Sequence, residues 1–138
     1  EMDPVVHFEL PYEDPDRAAR FFAAAFGWEL QPLGPEFGDY VLVTTARADA
    51  KPGAPAGAIN GGLYRRCDEW PAQYPSVVIA VTDIRASMAR VEAAGGRVLG
   101  EPMAIPGTGD YVSIFDTEGN RISILQPLAV ACAAAPAA

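Results

Sequence analysis

The chain has a single histidine, His7, and Glu9 follows it two residues later in VVHFEL (Val5–Leu10). A side chain two residues on in a strand points to the same face, so an imidazole and a carboxylate are presented together. Such a pair can accept and donate protons, hold part of a metal shell, or line a ligand site through hydrogen bonds. VVHFEL alternates, with Val6, Phe8 and Leu10 on one face and Val5, His7 and Glu9 on the other. Tyr40 and Tyr111 fall at similar places, 71 residues apart, and are aromatics able to stack on a flat ligand.

These residues are carried by a repeat. His7–Trp28 and Ser76–Arg97 superpose at an offset of 69 residues, which sets His7 on Ser76, Asp14 on Asp83 and Gly27 on Gly96. Each block reads as a strand, an acidic helix cap, an amphipathic helix and a glycine stop. Asp14 is followed by Pro15, the residue suited to a first helical position. Phe21, Phe22 and Phe26 are expected in the core. Ile84, Met88 and Val91 give the second helix its apolar stripe, and Gly95 and Gly96 end it.

Three strand candidates follow each helix: Trp28–Leu33, Asp39–Thr45 and Ala58–Tyr64, then Arg97–Gly100, Asp110–Asp116 and Arg121–Gln126. Runs of three strands after each helix argue against a doubly wound parallel sheet. The expected fold is α+β, two tandem βαβββ modules at about 4–64 and 76–127 in one domain of residues 1–127. Their curved sheet would enclose a cleft, and 128–138 is an Ala-rich tail. The Pro/Gly/Ala-rich stretch 46–57 reads as a mobile loop, IPGTGDY (Ile105–Tyr111) as a flexible rim over the cleft, and FDTEGNR (Phe115–Arg121) as a structural turn.

Composition narrows the partners. A net charge of −8 over 138 residues disfavours nucleic acid and anionic membranes. No stretch approaches the ~20 apolar residues of a membrane span. Cys67 and Cys132 form no CxxC, which fits a reducing cytoplasm without a disulfide framework. Cys67 also lacks a second histidine to activate it as a nucleophile.

The stretches HFELPYEDPDRAARFFAAAFGW, AINGGLYRR, VTDIRASMARVEAAGGRVL and IPGTGDYVSIFDTEGNRISILQ resemble the vicinal-oxygen-chelate superfamily over residues 4–127. That group includes glyoxalase I, extradiol dioxygenases, and bleomycin and fosfomycin resistance proteins. The resemblance implies paired βαβββ modules and a homodimer. It also implies where metal-using members place ligands: a His at position 7, a His at position 76, a Glu at position 123, and in some members a Glu near 60–62. Here those positions hold His7, Ser76, Ser123 and Asn60, Gly61 or Gly62, so His7 is the one retained ligand, and the resemblance implies Asn60, Ser76 and Ser123, with the aromatic Tyr111, as contacts for a bound small molecule. Serine hydroxyls are poor ligands for divalent metals at neutral pH. The expectation is a small-molecule-binding protein of the glyoxalase and bleomycin-resistance type with no cofactor. The alternative is a glyoxalase-like lyase or isomerase using His7 and Glu9, with or without a divalent metal. An extradiol dioxygenase is disfavoured by the missing second His and final Glu.

Overall fold

A computed structural model describes residues 2–47 and 57–128. Within it, two compact units divide the chain near Val77: Val6–Val77 forms the first, and the residues from Val78 onward, joined by the N-terminal residues up to Val5, form the second. Each carries one βαβββ module, as the repeat predicts.

In the first unit, β1 (Val5–Tyr12) leads into helix α1 (Pro15–Phe26), then β2 (Glu29–Pro32), β3 (Val41–Thr44) and β4 (Asn60–Arg65). Its strand order is β2-β3-β4-β1; β1 runs parallel to β4, and the other neighbours are antiparallel. Asp14 accepts from the Arg17 amide at 3.0 Å and Pro15 opens the helix. Gly27 closes it at φ 70°, a left-handed conformation that glycine adopts without a Cβ penalty. Phe22 packs on a core of Tyr12, Val41, Val43 and Leu63 and stacks on Trp28 with ring centroids 4.8 Å apart.

The expectation for its two neighbours needs correcting. Phe21 and Phe26 are 57% and 62% exposed. Phe21 lies about 100° round the helix from Phe22, and Phe26 sits in the last turn, where it is covered only in part by Trp28 and Phe21. β3 also starts later than expected. Pro35–Phe37 forms a 3₁₀ turn, and Asp39 takes a left-handed φ of 59°, so extended backbone begins at Val41.

The second unit repeats the plan with β5 (Ser76–Ala80), which begins in the first unit, α2 (Ile84–Ala93), β6 (Arg97–Ile105), β7 (Gly109–Phe115) and β8 (Arg121–Pro127). The order is β5-β8-β7-β6, with β5 parallel to β8. Asp83 caps α2 through the Ala86 amide at 3.0 Å, and Gln126 accepts from the Ile84 amide at 2.9 Å. Val81, Ile84, Val112, Ile114 and Ile124 form the core, flanked by Met88 and Val91.

β6 runs past Gly100 to Ile105, because the irregularity between Leu99 and Met103 resets its register instead of ending it. The expected rim is therefore a tight hairpin turn: Ile105 closes β6, Gly109 opens β7, and the Thr108 amide donates to the Ile105 carbonyl. The 115–121 segment is a turn, with Asp116 accepting from the amides of Glu118 and Asn120.

Cys67 is a half-buried free thiol whose backbone is clamped by Gln73. Cys132, residues 129–138 and most of the 46–57 loop lie outside the described residues. Among the described residues, no helix is long and apolar enough to cross a membrane.

Candidate functional site

Phe8, Leu10 and Tyr12 face the hydrophobic core of the first unit, so strand alternation turns His7 and Glu9 to the other face of β1. Parallel pairing sets His7 beside Asn60 and Glu9 beside Gly62. A third side chain joins them from the turn before β3. The Tyr12 hydroxyl donates to the Asp39 carbonyl at 2.7 Å, and Arg65 lies 3.9 Å from the Asp39 carboxylate. The Tyr40 carbonyl accepts from the Leu33 amide at 2.9 Å. These contacts fix the backbone on both sides of Tyr40.

Its ring then lies over Gly62, where an added Cβ would sit 1.9 Å from the hydroxyl oxygen. A strand glycine that admits close approach is what this placement requires. The Tyr40 hydroxyl donates to Glu9 Oε2 at 2.9 Å and lies 2.9 Å from His7 Nε2. Glu9 is only 8% exposed, so a buried carboxylate has its hydrogen bond to Tyr40 supplied inside the protein. Burial pulls the His7 imidazole below its ordinary 6.5, and the nearby Glu9 charge partly opposes that pull. The net effect favours the neutral form of the imidazole.

The other candidates are placed differently. Asn60 uses its side-chain oxygen to accept from the Thr45 and Ala46 amides at 2.8 and 3.1 Å, which ties down the exit of β3. Ser76 opens β5 and lines a cavity of about 500 Å³ with Phe8, Leu10, Trp28, Ile59 and Val77, and it makes no hydrogen bond to the His7 cluster. Ser123 and Tyr111 come together in the second unit: the buried Ser123 hydroxyl donates to the Tyr111 oxygen at 2.6 Å, and Ser113 lies 3.4 Å from Ser123. The sequence marked Tyr40 as a stacking aromatic paired with Tyr111, but not as the hydroxyl that bridges His7 and Glu9. The signal for it was the Gly61-Gly62 pair in a strand.

The residues do not fit a divalent metal of the kind the family's ligand pattern implies. His7 Nε2 and Glu9 Oε2 are both engaged by the Tyr40 hydroxyl, and Gly62 offers no ligand beside them. Among the described residues, no three His, Cys, Asp or Glu side chains group so as to hold a metal ion.

Residues 5–46 match the family described as bleomycin resistance protein-like N-terminal. A glyoxylase-like domain-containing protein of Didymella fabae is 29% identical over 84% of this chain and 88% of its own length. The Mycobacterium bovis protein CFP32, which carries a glyoxylase name, is 30% identical over 92% of this chain, and the chain spans 45% of its length. In fold, the chain resembles Streptomyces coelicolor methylmalonyl-CoA epimerase, solved in complex with 2-nitronate-propionyl-CoA. The TM-score is 0.68 at 19% identity, over 94% of this chain and all of that one.

Proposed function

We propose that the chain is a glyoxalase and bleomycin-resistance-like member of the vicinal-oxygen-chelate superfamily, a reading supported by the family match over residues 5–46 and the glyoxylase-like relative, and that it binds a small molecule at the His7–Tyr40–Glu9 cluster without a complete metal site. One observation carries this reading: the Tyr40 hydroxyl sits within hydrogen-bond distance of both His7 and Glu9, so one imidazole nitrogen and one carboxylate oxygen are already engaged with each other through a phenol. A neutral imidazole, a phenol and a carboxylate offer donors and acceptors of fixed direction, which is how a polar group orients a ligand in a mostly apolar site. The expected homodimer, cleft and cytoplasmic setting belong to the same proposal.

A second reading, a glyoxalase-like lyase or isomerase, is favoured by the neutral His7 beside a carboxylate. Such a pair is equipped to take a proton from a bound substrate.

The test is metal analysis of the purified protein, followed by a thermal-shift screen of cationic antibiotics, small metabolites and an acyl-CoA thioester, the last because the fold neighbour is named for one. Compounds that raise Tm and return unchanged support binding. Compounds that return converted favour the enzyme. Stoichiometric zinc, nickel, iron or manganese that disappears in His7→Ala would sink the metal-free reading.

A further inference from the structure

The hydroxyl of Tyr40 has one proton to give, and it goes to Glu9 Oε2. A carboxylate can only accept, so that bond has a fixed direction. The 2.9 Å contact between the same hydroxyl and His7 Nε2 must then run the other way, with Nε2–H donating to the phenol oxygen. A neutral imidazole holds one ring proton, so His7 Nδ1 carries a lone pair. Nδ1 makes no hydrogen bond among the described residues. Yet no buried side-chain nitrogen or oxygen there lacks a partner, so Nδ1 is open to solvent.

We propose that Tyr40 is the positioning residue of this site: by relaying the Glu9 charge to His7 it fixes the Nε2–H tautomer and presents Nδ1 as an acceptor for a ligand's hydrogen-bond donor, an ammonium, amide N–H or hydroxyl group. The proposal rests on the reading of this cluster as the ligand site. Gly62 is part of the same device, because any larger residue there displaces the Tyr40 ring. The ligand class follows from charge as well as direction. An anionic oxygen brought to Nδ1 would meet a lone pair with the buried Glu9 carboxylate behind it, whereas a donor, above all a cationic one, is attracted by both.

One histidine in the chain makes the test direct, since ¹⁵N labelling yields a single pair of imidazole nitrogens. At neutral pH the wild-type protein should show a protonated Nε2 whose proton exchanges slowly with water, and an unprotonated Nδ1. In Tyr40→Phe that exchange should quicken about tenfold, the factor that corresponds to one hydrogen bond of ~1.4 kcal/mol. Methylammonium chloride should shift the wild-type Nδ1 resonance, and sodium acetate at equal concentration should not.

A wild-type Nδ1–H tautomer, or a rapidly exchanging Nε2–H, overturns the proposal without recourse to any variant. An exchange rate unchanged in a folded Tyr40→Phe overturns it too. So does the absence of a methylammonium response, or an equal response to acetate. These readings are made on the unliganded protein. A confirmed tautomer in a protein that no compound stabilises would sink the ligand-binding reading and leave the role of Tyr40 intact.

Discussion

The two modules put a tyrosine at the same register position and use it for opposite ends. Leu42 pairs with Gly62 and Ser113 pairs with Ser123, so Tyr40 and Tyr111 each stand two residues before the matching point. Gly62 is beside Glu9 on β1, and Ser123 is beside Val78 on β5. In the first unit the glycine leaves room, and the Tyr40 hydroxyl crosses it to reach an imidazole and a buried carboxylate. In the second, the Ser123 side chain fills that space, takes the Tyr111 hydroxyl for itself, and faces an apolar Val78. One set is charged and retains a solvent-open nitrogen. The other joins hydroxyl to hydroxyl. The difference turns on one side chain: the same phenol becomes a bridge over glycine and a lid over serine.

Exchanging that side chain gives the largest expected effect. Gly62→Ser installs the second module's residue in the first, where the new Cβ would sit 1.9 Å from the Tyr40 oxygen and 2.1 Å from the adjoining ring carbon. The ring must leave, and Glu9 loses its phenol donor. Overpacking and a lost charge-assisted bond together should cost about 3 kcal/mol or more in urea unfolding. A variant that unfolds at the wild-type midpoint would mean Tyr40 has an alternative seat of equal energy.

Deleting each hydroxyl comes next. Tyr40→Phe removes a donor from a buried carboxylate and should cost about 2 kcal/mol, the range of hydrogen bonds to charged groups. Tyr111→Phe removes an acceptor from a neutral serine that still has Ser113 at 3.4 Å, and about 1 kcal/mol is expected. Equal losses would erase the distinction between the charged and the neutral set.

Where the modules are alike, the effects should be alike and smaller. Asp14→Ala and Asp83→Ala each remove one exposed N-cap bond of 3.0 Å and should each lower the urea midpoint slightly and by a similar amount, less than either hydroxyl deletion. A marked inequality between them would show that the helices, and not only the sites, have diverged.

Those caps were legible from sequence, as were the strand alternation that pairs His7 with Glu9 and the turn at Asp116, because each depends on residues within a few positions. The site was legible in part. His7 and Glu9 share a local strand, but Tyr40 reaches them across 33 and 31 residues through a turn set by Tyr12 and Asp39, and no local pattern encodes that path. Asn60 was read as a ligand contact because it falls where the resemblance sets a ligand on the strand ending the first module; its oxygen accepts from the two backbone amides at the β3 exit, donors that the strand's own sequence does not reveal. Phe21 and Phe26 show the same limit: periodicity marks an apolar stripe but not how far the partner surface extends to cover it.

The smallest effect is a pH dependence that only the first site should show. The folded-state pKa of His7 lies below 6.5, with burial the larger cause and Glu9 opposing it. Between the folded value and 6.5 the unfolded chain binds more protons than the folded one, so stability falls as pH is lowered through that window and levels off below it. The carboxylates held low by hydrogen bonds, Asp14 by the Arg17 amide and Asp116 by Asn120, act separately, because their stabilisation is lost only as pH falls through and below 3.8. Urea midpoints measured between about pH 5 and 8 should therefore slope in the wild type and flatten in His7→Asn. Tyr111→Phe should keep the wild-type slope, since no titrating imidazole stands in that set. Glu9→Gln removes the opposing charge, lowers the folded pKa of His7 further, and should carry the slope to lower pH. A slope that survives His7→Asn would place the titration elsewhere and remove the electrostatic contrast between the two modules.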